Sequence, residues 1–500
     1  MCGFVAGNLF SAESAAQALD LISHRGKDAS NLVFYPEEEL WFGHRRLAIQ
    51  DTSAAGDQPM NTGDVSLVYN GELWRRMMDL YPDYRSDTKL LADLYSACGG
   101  DAVGWAAGLD GMFAVVIYDR RRQFLVAARD RVGRIPLYYV LDDRGIALAS
   151  EAKSLAVPLG STFCGNGGRD QANSEVRLFP PGHVLVYDLQ SGKHIAAPFG
   201  ALGGDGDCLE DLNKSDAGAG YYAAGIRERL EAAVVNESIS DVPVCTILSG
   251  GVDSTIVTAI LARHIPDLRA YTVSVGEGNG KDDLAHARLA AEAIGVPLTE
   301  VILDRNDVFN GLEDAVWAVE DHRWVQVASS VPQIALARKI GEDGCKVVFG
   351  GEGSDELFGS YADVRRWNWM PEQYYRRRLQ LCRNLHNNNI IRGNKAMMWG
   401  GTVELRTPFL DRELVDFCLR IPVRYRADDD GRGRVMKPLL REAFHGWFPE
   451  KLLMRGKVTF QEGAHSDFLK SWKEVMRNMM FEMFGRRSRV NRRAPAVVGL

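Results

Sequence analysis

Short buried strands and helices alternate along the chain from about residue 218, and this alternation constrains the fold more than any other feature. The segments "VCTILSG", "RAYTVSV", "LTEVIL" and "CKVVFGG" are apolar enough to be buried strands, and the stretches between them contain apolar residues at helical spacing. Strands joined through helices run parallel, because a parallel connection needs a crossover. The pattern predicts a doubly wound parallel sheet covered on both faces, followed by additional helices over residues 360–500.

The first 190 residues have a different pattern, in which short β-rich runs are separated by turns. "CGFVAGNLF", "VSLVYNGEL" and "FAVVIYD" are bounded by Gly, Asp, Asn or Pro, and "AESAAQALDLIS" and "TKLLADLYSAC" have helical spacing. We therefore expect an α+β sandwich of antiparallel sheets over residues 2–190 and a second α/β domain over 218–485. Residues 191–217 are rich in Gly, Ala and Asp and are predicted to be a linker, and 486–500 are predicted to be a disordered basic tail.

Composition excludes several classes of partner. A net charge of −7 gives no overall basic surface for nucleic acid. The chain has no apolar stretch of about 18 residues and no secretory leader pattern, so we expect no membrane span. The eight cysteines form no CxxC pair, which disfavours a zinc site and is typical of a reduced, cytoplasmic protein.

The stretch "ILSGGVDST" (247–255) follows the first predicted parallel strand and opens the next helix. Ligands bind at the carboxyl ends of strands in such sheets, and the two glycines allow close approach of the backbone to an anion. The stretch lacks the Lys of a Walker P-loop and the spacing of a dinucleotide motif. It therefore indicates a phosphate or pyrophosphate site of another kind, with an ordinary strand-helix turn as the alternative.

A second acidic, Gly-rich loop, "VVFGGEGSDELFGSY" (347–361), follows a later strand. Crowded carboxylates at the end of a strand are costly unless a cation is present, so Asp253 and Asp355 are predicted to bind Mg²⁺. Lys457, in the Gly-flanked segment "MRGKVTFQEG", could stabilise charge on a transferring group, although an isolated lysine is usually a surface residue.

Cys2 would become the first residue if Met1 were removed, and the small Gly3 would leave the new terminus uncrowded. A terminal cysteine has its own α-amino group as a base beside the thiol. Alone, this position does not distinguish a nucleophile from an ordinary cysteine.

Motifs along the chain together resemble the asparagine synthetase B family, from residue 2 to about 465 and in the same order. The N-terminal motifs, similar to its class II (Ntn-type) glutaminase domain, include "MCG", "HRGKDAS", "GHRRLAIQD", "YNGEL", "SDT" and "ARDRVGRIPLYY". The C-terminal motifs, similar to its PP-loop ATP pyrophosphatase domain, are "ILSGGVDS", "FGGEGSDELFGSY", "NKAMMWGGTVELRTPFLD" and "RGKVTFQEG".

The resemblance implies hydrolysis of glutamine by Cys2, with Asn70 and Gly71 as the oxyanion hole. It implies that Arg46, Glu72 and Asp87 hold the carboxylate and amino group of glutamine. The ammonia released would cross an internal tunnel to the second site.

The resemblance also implies that ATP and Mg²⁺ activate a carboxylate as an adenylate, which ammonia then converts to an amide with release of AMP. The nucleotide-binding residues implied in this way are Leu248, Ser249, Gly250, Gly251, Asp253, Ser254, Val275 and Gly351. Asp253 and Asp355 match the metal contacts, Glu352 matches a catalytic-region glutamate, and Lys457 matches a lysine that stabilises adenylation. A homodimer is implied by resemblance alone.

Two departures from the family pattern affect the predicted substrates. Trp74 and Arg75 stand where a Tyr-Asn follows the glutamate in the family, so we expect a glutamine pocket that differs in detail. Ala328, in "RWVQVASSVPQ", stands where the family has an arginine, which leaves the acceptor open between aspartate and a larger carboxylate of secondary metabolism.

The related β-lactam and carbapenam synthetases, which close an internal amide, are the main alternative. That branch would lack Cys2, would have Tyr in place of Glu352 and would have Glu in place of Lys395, so this chain favours ammonia transfer. A non-catalytic binding relative is disfavoured because the nucleotide-site residues are present.

Overall fold

The computed structural model describes residues 1–165, 174–200, 202, 217–276, 283–361, 364, 370–425, 436–454 and 472–484. The strands in these residues form two six-stranded sheets and one five-stranded sheet. They are β1 (Gly3–Gly7), β2 (Ala29–Tyr35), β3 (Leu40–Arg46), β4 (Met60–Thr62), β5 (Val65–Leu73), β6 (Gly111–Asp119), β7 (Phe124–Arg129), β8 (Tyr138–Asp142), β9 (Gly145–Ala149), β10 (Arg177–Leu178), β11 (His183–Asp188), β12 (His194–Pro198), β13 (Val244–Ile247), β14 (Arg269–Val275), β15 (Leu298–Leu303), β16 (Val347–Phe349) and β17 (Glu404–Arg406).

The helices pack on the sheets and fill much of the C-terminal region. They are α1 (Ala12–Asp20), α2 (Arg75–Leu80), α3 (Asp87–Ala97), α4 (Ala102–Gly108), α5 (Lys153–Leu159), α6 (Ala219–Glu237), α7 (Val252–His264), α8 (Asp283–Ile294), α9 (Arg305–Asn310), α10 (Leu312–Val319), α11 (Trp324–Glu342), α12 (Ser354–Phe358), α13 (Pro371–Asn384), α14 (Asn389–Gly401), α15 (Arg412–Leu419), α16 (Pro438–Ala443), α17 (Glu450–Leu453) and α18 (Lys473–Phe484). None of the helices in the described ranges is both long and apolar enough to cross a membrane.

The N-terminal region is a sandwich of two antiparallel sheets. The strand orders are β10-β8-β9-β1-β3-β2 and β12-β11-β7-β6-β5-β4. Alternate residues of the facing strands, such as Phe4, Phe42, Val68 and Val116, are buried in one apolar cluster between the sheets. The predicted antiparallel sandwich is therefore confirmed.

The C-terminal region is built on a parallel sheet of order β15-β14-β13-β16-β17. β13 pairs with β14 on one side and with β16 on the other, with Val244 opposite Val347. The loops after β13 and β16 therefore leave the sheet side by side, at the edge where such sheets bind ligands. This confirms the predicted doubly wound sheet.

The structure adds strands that the sequence patterns did not predict. β12 pairs with β11 along its whole length, although its residues, 194–198, fall within the predicted linker 191–217. β17 is only three residues long and contains two charged residues, yet it is fully paired with β16 and buried. Lys457 and the predicted basic tail, 486–500, lie outside the described residues.

Candidate functional site

Cys2 lies just before β1, where the first sheet meets the C-terminal region. The Leu47 N–H donates to Cys2 Sγ at 3.4 Å, and Arg25 Nε donates to the Cys2 carbonyl oxygen at 2.9 Å. Burial raises the pKa of the Cys2 thiol to about 11, although the nearby terminal ammonium opposes the shift. That ammonium belongs to Met1, which is buried 3.5 Å from Glu404 Oε2 of β17. With Met1 in place, the thiol is protonated at neutral pH and is a poor nucleophile.

Asn70 and Gly71 lie in β5, which contacts β1 across the sandwich. The Asn70 side chain is fully buried, and neither Oδ1 nor Nδ2 has a hydrogen-bond partner within the described residues. A buried amide without a partner costs free energy, and a bound ligand is one partner that can offset this cost. Gly71 has φ +151°, and a Cβ there would lie 2.0 Å from the Met112 carbonyl oxygen. The pair therefore offers an unused donor beside a backbone that only glycine can form.

Arg46, predicted to bind the carboxylate of glutamine, already binds a carboxylate of this chain. Its Nη1 donates to Asp57 Oδ1 at 2.8 Å and to the Ser53 carbonyl oxygen at 2.5 Å. Its Nη2 donates to the Asp51 carbonyl oxygen. Gly56 allows this closure, because a Cβ there would lie 2.1 Å from Arg46 Nη2. No motif in the sequence predicts that Asp57 pairs with Arg46.

Glu72 and Asp87 form a buried acidic pair. The Tyr69 hydroxyl and the Leu73 N–H each donate to Asp87 Oδ2 at 3.2 Å, and Gln50 Nε2 donates to Glu72 Oε2 at 2.5 Å. Burial raises the pKa of Asp87 to about 6, and burial together with Glu404 and Asp87 raises that of Glu72 well above its ordinary value. Such acids are suited to binding a cation such as a substrate ammonium, because the cation offsets the cost of ionisation.

The loop between β13 and α7 is closed by serine hydroxyls. The Ser249 N–H donates to Ser254 Oγ at 3.2 Å, the two hydroxyls are 3.1 Å apart, and Ser254 Oγ donates to the Gly251 carbonyl oxygen at 3.2 Å. Gly250 has φ +69°, and a Cβ there would lie 2.3 Å from the His286 carbonyl carbon. The turn therefore requires glycine, and it leads directly into the N-terminus of a 13-residue helix, where an anion is favoured.

The loop after β16 packs directly on the loop after β13, so the predicted nucleotide residues come together. A Cβ on Gly351 would lie 2.9 Å from Asp253 Cβ. Leu248, directly after β13, and Val275, the last residue of β14, are also buried. Burial raises the pKa of Glu352, whose Oε2 has no partner within the described residues.

Lys437, which no sequence motif predicted, lies between the two predicted metal ligands. Lys437 Nζ is 2.5 Å from Asp253 Oδ2 and 2.7 Å from Asp355 Oδ1, and it donates to Ser354 Oγ at 3.1 Å. Burial lowers the pKa of this lysine, but Asp253 and Asp355 outweigh burial and leave it raised. The residue has φ +61° and immediately precedes Pro438 of α16. The segment "MKPLL" (436–440) contains no motif that predicts this role.

A buried charge network joins the two regions. Glu320 accepts from the N–H groups of Ala152 and Lys153 at 3.0 and 2.6 Å, and it is paired with Lys395 of α14. Lys395 Nζ also donates to the Tyr138 hydroxyl at 2.8 Å. All of these side chains are buried, so the network fixes α14 against the N-terminal sandwich.

Comparisons with known proteins match both regions of the chain. The model of the asparagine synthase family matches residues 225–386 and 371–494, and that of a glutamine amidotransferase domain matches residues 1–166. A glutamine-hydrolysing asparagine synthetase from Asparagus officinalis is 32% identical over 93% of this chain and 78% of its own length. One from Triphysaria versicolor is 30% identical over the same shares.

Similarity to solved structures is much weaker. A glutamine phosphoribosylpyrophosphate amidotransferase from B. subtilis, complexed with ADP and GMP, is 17% identical over 60% of this chain and 65% of its own, with a TM-score of 0.32. That likeness is too low to carry an argument. The family models and the plant relatives are sufficient, and the chain belongs to the asparagine synthase family, with a glutamine amidotransferase domain at its N-terminus.

Proposed function

We propose that this chain hydrolyses glutamine at Cys2 and transfers the ammonia to a carboxylate that it has activated with ATP. The observation that carries the proposal is the Asn70 amide, which is fully buried and has no hydrogen-bond partner within the described residues. An amide left unsatisfied in a protein interior is suited to a charge that exists only when substrate reacts. Membership of the asparagine synthase family and the plant relatives support ATP-dependent amide formation.

In the first half-reaction, the Cys2 thiol attacks the side-chain amide of glutamine after Met1 has been removed. The freed α-amino group takes the thiol proton. In the chain that still has Met1, the pKa of the Cys2 thiol is raised, so the thiol keeps its proton. The Asn70 amide and the Gly71 N–H donate to the developing oxyanion. Arg46 binds the carboxylate of glutamine, and Glu72 and Asp87 bind its ammonium. The tetrahedral intermediate collapses with cleavage of its C–N bond, and the amide nitrogen takes a proton from the α-ammonium and leaves as ammonia. Water then hydrolyses the thioester on Cys2 and releases glutamate.

In the second half-reaction, the Ser249–Ser254 loop binds the phosphates of ATP. Asp253 and Asp355 fit a divalent cation, because they already share one cationic group, the ammonium of Lys437. Mg²⁺ bound there would neutralise the phosphates during adenylation. Lys457, outside the described residues, is proposed to stabilise the same transition state, and Glu352 is proposed as a catalytic residue of the same site. The acceptor carboxylate attacks the α-phosphate of ATP, and pyrophosphate leaves. Ammonia then attacks the carbonyl carbon of the adenylate, loses a proton, and displaces AMP.

The acceptor is left open between aspartate, which the relatives' names indicate, and a larger carboxylate. The domain limits 2–190, 191–217 and 218–485, the cytoplasmic location and the homodimer also stay predictions. The ring-closing cyclase remains the alternative that experiment has to exclude.

One assay tests the proposal. The purified chain is incubated with ATP, Mg²⁺, glutamine and a series of carboxylic acids, and pyrophosphate and glutamate are measured together. We expect acid-dependent pyrophosphate release with one glutamate formed for each pyrophosphate. Release of pyrophosphate without glutamate would instead indicate the cyclase.

Two variants separate the sites. Cys2→Ala should abolish glutamine use but retain synthesis from ammonium, and Cys98→Ala, at another half-buried cysteine, should behave as wild type. Asn70→Ala should lower glutamine hydrolysis by about 100- to 1,000-fold while sparing ammonium-dependent synthesis. Equal loss of both activities in either site variant would contradict the two-site mechanism.

A further inference from the structure

Cys245 and Cys345 lie together at the end of the parallel sheet opposite to the nucleotide loops. Cys245 is the second residue of β13, and Cys345 comes two residues before β16, the strand that pairs with β13. Both are buried in one apolar cluster with side chains of α11. The Cys245 thiol donates a hydrogen bond to the Cys345 sulfur. The two sulfur atoms are therefore neighbours in the fold, although no CxxC spacing predicts the pair.

A guanidinium and a hydroxyl group stabilise the thiolate form of Cys345. Arg269 Nη2 donates to Cys345 Sγ at 3.0 Å and to the Asp343 carbonyl oxygen at 3.0 Å. The Tyr271 hydroxyl is also within hydrogen-bonding reach of this sulfur. The hydrogen bond from Cys245, together with Arg269, lowers the pKa of the Cys345 thiol, whereas burial raises the pKa of Cys245. A cationic donor beside a sulfur favours the thiolate, which is the nucleophilic form.

Cys345 lies close to solvent, although only 2% of the residue is exposed. Its neighbours in sequence are Gly344, which is exposed, and Lys346, which is half-buried. Gly344 has φ +80°, and a Cβ there would meet no atom within 4 Å, so the turn before Cys345 has room to move. A disulfide requires the two sulfurs to approach from hydrogen-bonding distance to about 2.05 Å. A small shift of this open turn can supply that approach.

We propose that Cys245 and Cys345 form a peroxide-sensitive site, in which Cys345 is the attacking thiol and Cys245 closes a reversible disulfide. The Cys345 thiolate attacks one oxygen of a peroxide such as hydrogen peroxide, the O–O bond breaks, and the leaving hydroxide takes a proton to become water. Cys245 then loses its proton and attacks the sulfur of the resulting sulfenic acid, whose S–O bond breaks with release of a second water. Two thiols are oxidised to one disulfide, and the peroxide is reduced to two molecules of water.

The test treats the intact, folded protein with hydrogen peroxide and then maps its cysteines. The protein is reduced, separated from the reductant and oxidised, and the remaining thiols are blocked with iodoacetamide before proteolysis and mass spectrometry. In wild type we expect a cross-linked pair of peptides that contain Cys245 and Cys345, and this pair should disappear after treatment with dithiothreitol. Cys245→Ser should stop at a sulfenic acid on Cys345, which dimedone traps. Cys345→Ser should leave Cys245 as a free thiol.

Two further variants test the role of the surroundings. Arg269→Gln keeps both sulfurs and removes the positive charge. It should slow formation of the disulfide by about three- to tenfold at pH 7, because a smaller fraction of Cys345 is then thiolate. Cys98→Ser is the matched control, because it removes a half-buried cysteine outside the pair. It should leave the rate and the yield of the disulfide unchanged.

The wild-type map alone can overturn the inference, whether or not each variant folds. Cys245 and Cys345 that stay reduced while other cysteines are oxidised would do so, as would a disulfide that joins Cys345 to a cysteine other than Cys245. A sulfenic acid trapped on Cys245 in Cys345→Ser would overturn the assignment of Cys345 as the attacking thiol. A wild-type rate in Arg269→Gln, in a protein that keeps its circular dichroism spectrum, would overturn the role of the guanidinium.

Discussion

Asp57 forms an ion pair with Arg46, the residue proposed to bind the carboxylate of glutamine. Removing the charge of Asp57 should therefore improve glutamine binding. The two groups are 2.8 Å apart, with 7% of the Arg46 side chain and 34% of the Asp57 side chain exposed. Asp57 has to leave, or share the guanidinium, when the carboxylate of glutamine arrives. Asp57→Ala removes this competitor and keeps the Ser53 and Asp51 carbonyls that orient Arg46.

The magnitude follows from the partial exposure of the pair. Solvent-exposed ion pairs contribute about 0.2–1 kcal/mol and hydrogen bonds to charged groups about 1.5–3 kcal/mol. After allowance for the screening of Asp57, about 1 kcal/mol is the appropriate value, which corresponds to a roughly fivefold lower KM for glutamine. Asp57→Asn, which keeps the shape and loses the charge, should give about half of this free energy.

The assay is glutamate formation at varied glutamine, at low and at high ionic strength. The KM should fall in Asp57→Ala with kcat unchanged, and the difference should shrink as salt screens the pair. Asp20→Ala is the matched control, because Asp20 pairs with the neighbouring Arg45 at 2.7 Å on the exposed side of the same strand. An unchanged or higher KM in Asp57→Ala, in a protein that retains ammonium-dependent synthesis, would refute the competition.

Four further predictions concern buried charges. In the absence of ATP, Lys437→Met should bind Mn²⁺ at least tenfold more tightly than wild type, because the ammonium no longer competes for Asp253 and Asp355. Weaker Mn²⁺ binding by this variant in a calorimetric titration would contradict the prediction. With an Asp87 pKa of about 6, the KM for glutamine should rise as pH falls below 6, and Asp87→Asn should weaken that dependence to the part that comes from Glu72. Because the folded pKa of Asp87 exceeds its ordinary 3.8, its ionisation should also lower the free energy of unfolding as pH rises from about 4 to 6, a loss that urea unfolding should not find in Asp87→Asn. Glu320→Ala should lower the free energy of unfolding by about 3–5 kcal/mol, because it leaves two buried ammonium groups with less negative charge; a loss under 1 kcal/mol would refute the network.

The parts of the fold that the sequence predicted are those whose signals are local. Each strand of the parallel sheet from β13 to β16 is a short apolar run, and each is separated from the next by a segment of helical periodicity. β12 was missed because its residues are half or fully exposed at the edge of a sheet, so they lack an apolar signal. β17 was missed because Glu404 and Arg406 are charged and are buried only through each other and distant partners.

The residues of the candidate sites also fall into those that local motifs predict and those that they do not. Residues within motifs, such as Asn70 and Asp253, could be named because their neighbours in sequence are also their neighbours in space. The partners that determine their chemistry come from far along the chain. Lys437 reaches Asp253 across 184 residues, and no pattern around either residue predicts that contact. Asp57 is close to Arg46 in sequence, but the turn that joins them depends on Gly56 rather than on any periodic signal.

The burial of Met1 limits the time at which this residue can be removed. In the finished fold this residue is 1% exposed, with its ammonium beside Glu404 and its sulfur beside the Asn394 amide. Both partners come from the last quarter of the chain, so they leave the ribosome long after the N-terminus does. An aminopeptidase therefore has access to Met1 before those residues dock on the N-terminal region, and not in the finished fold. The proposed reaction thus requires excision to precede docking of the two regions, and a chain that docks first would keep its methionine and remain unable to use glutamine.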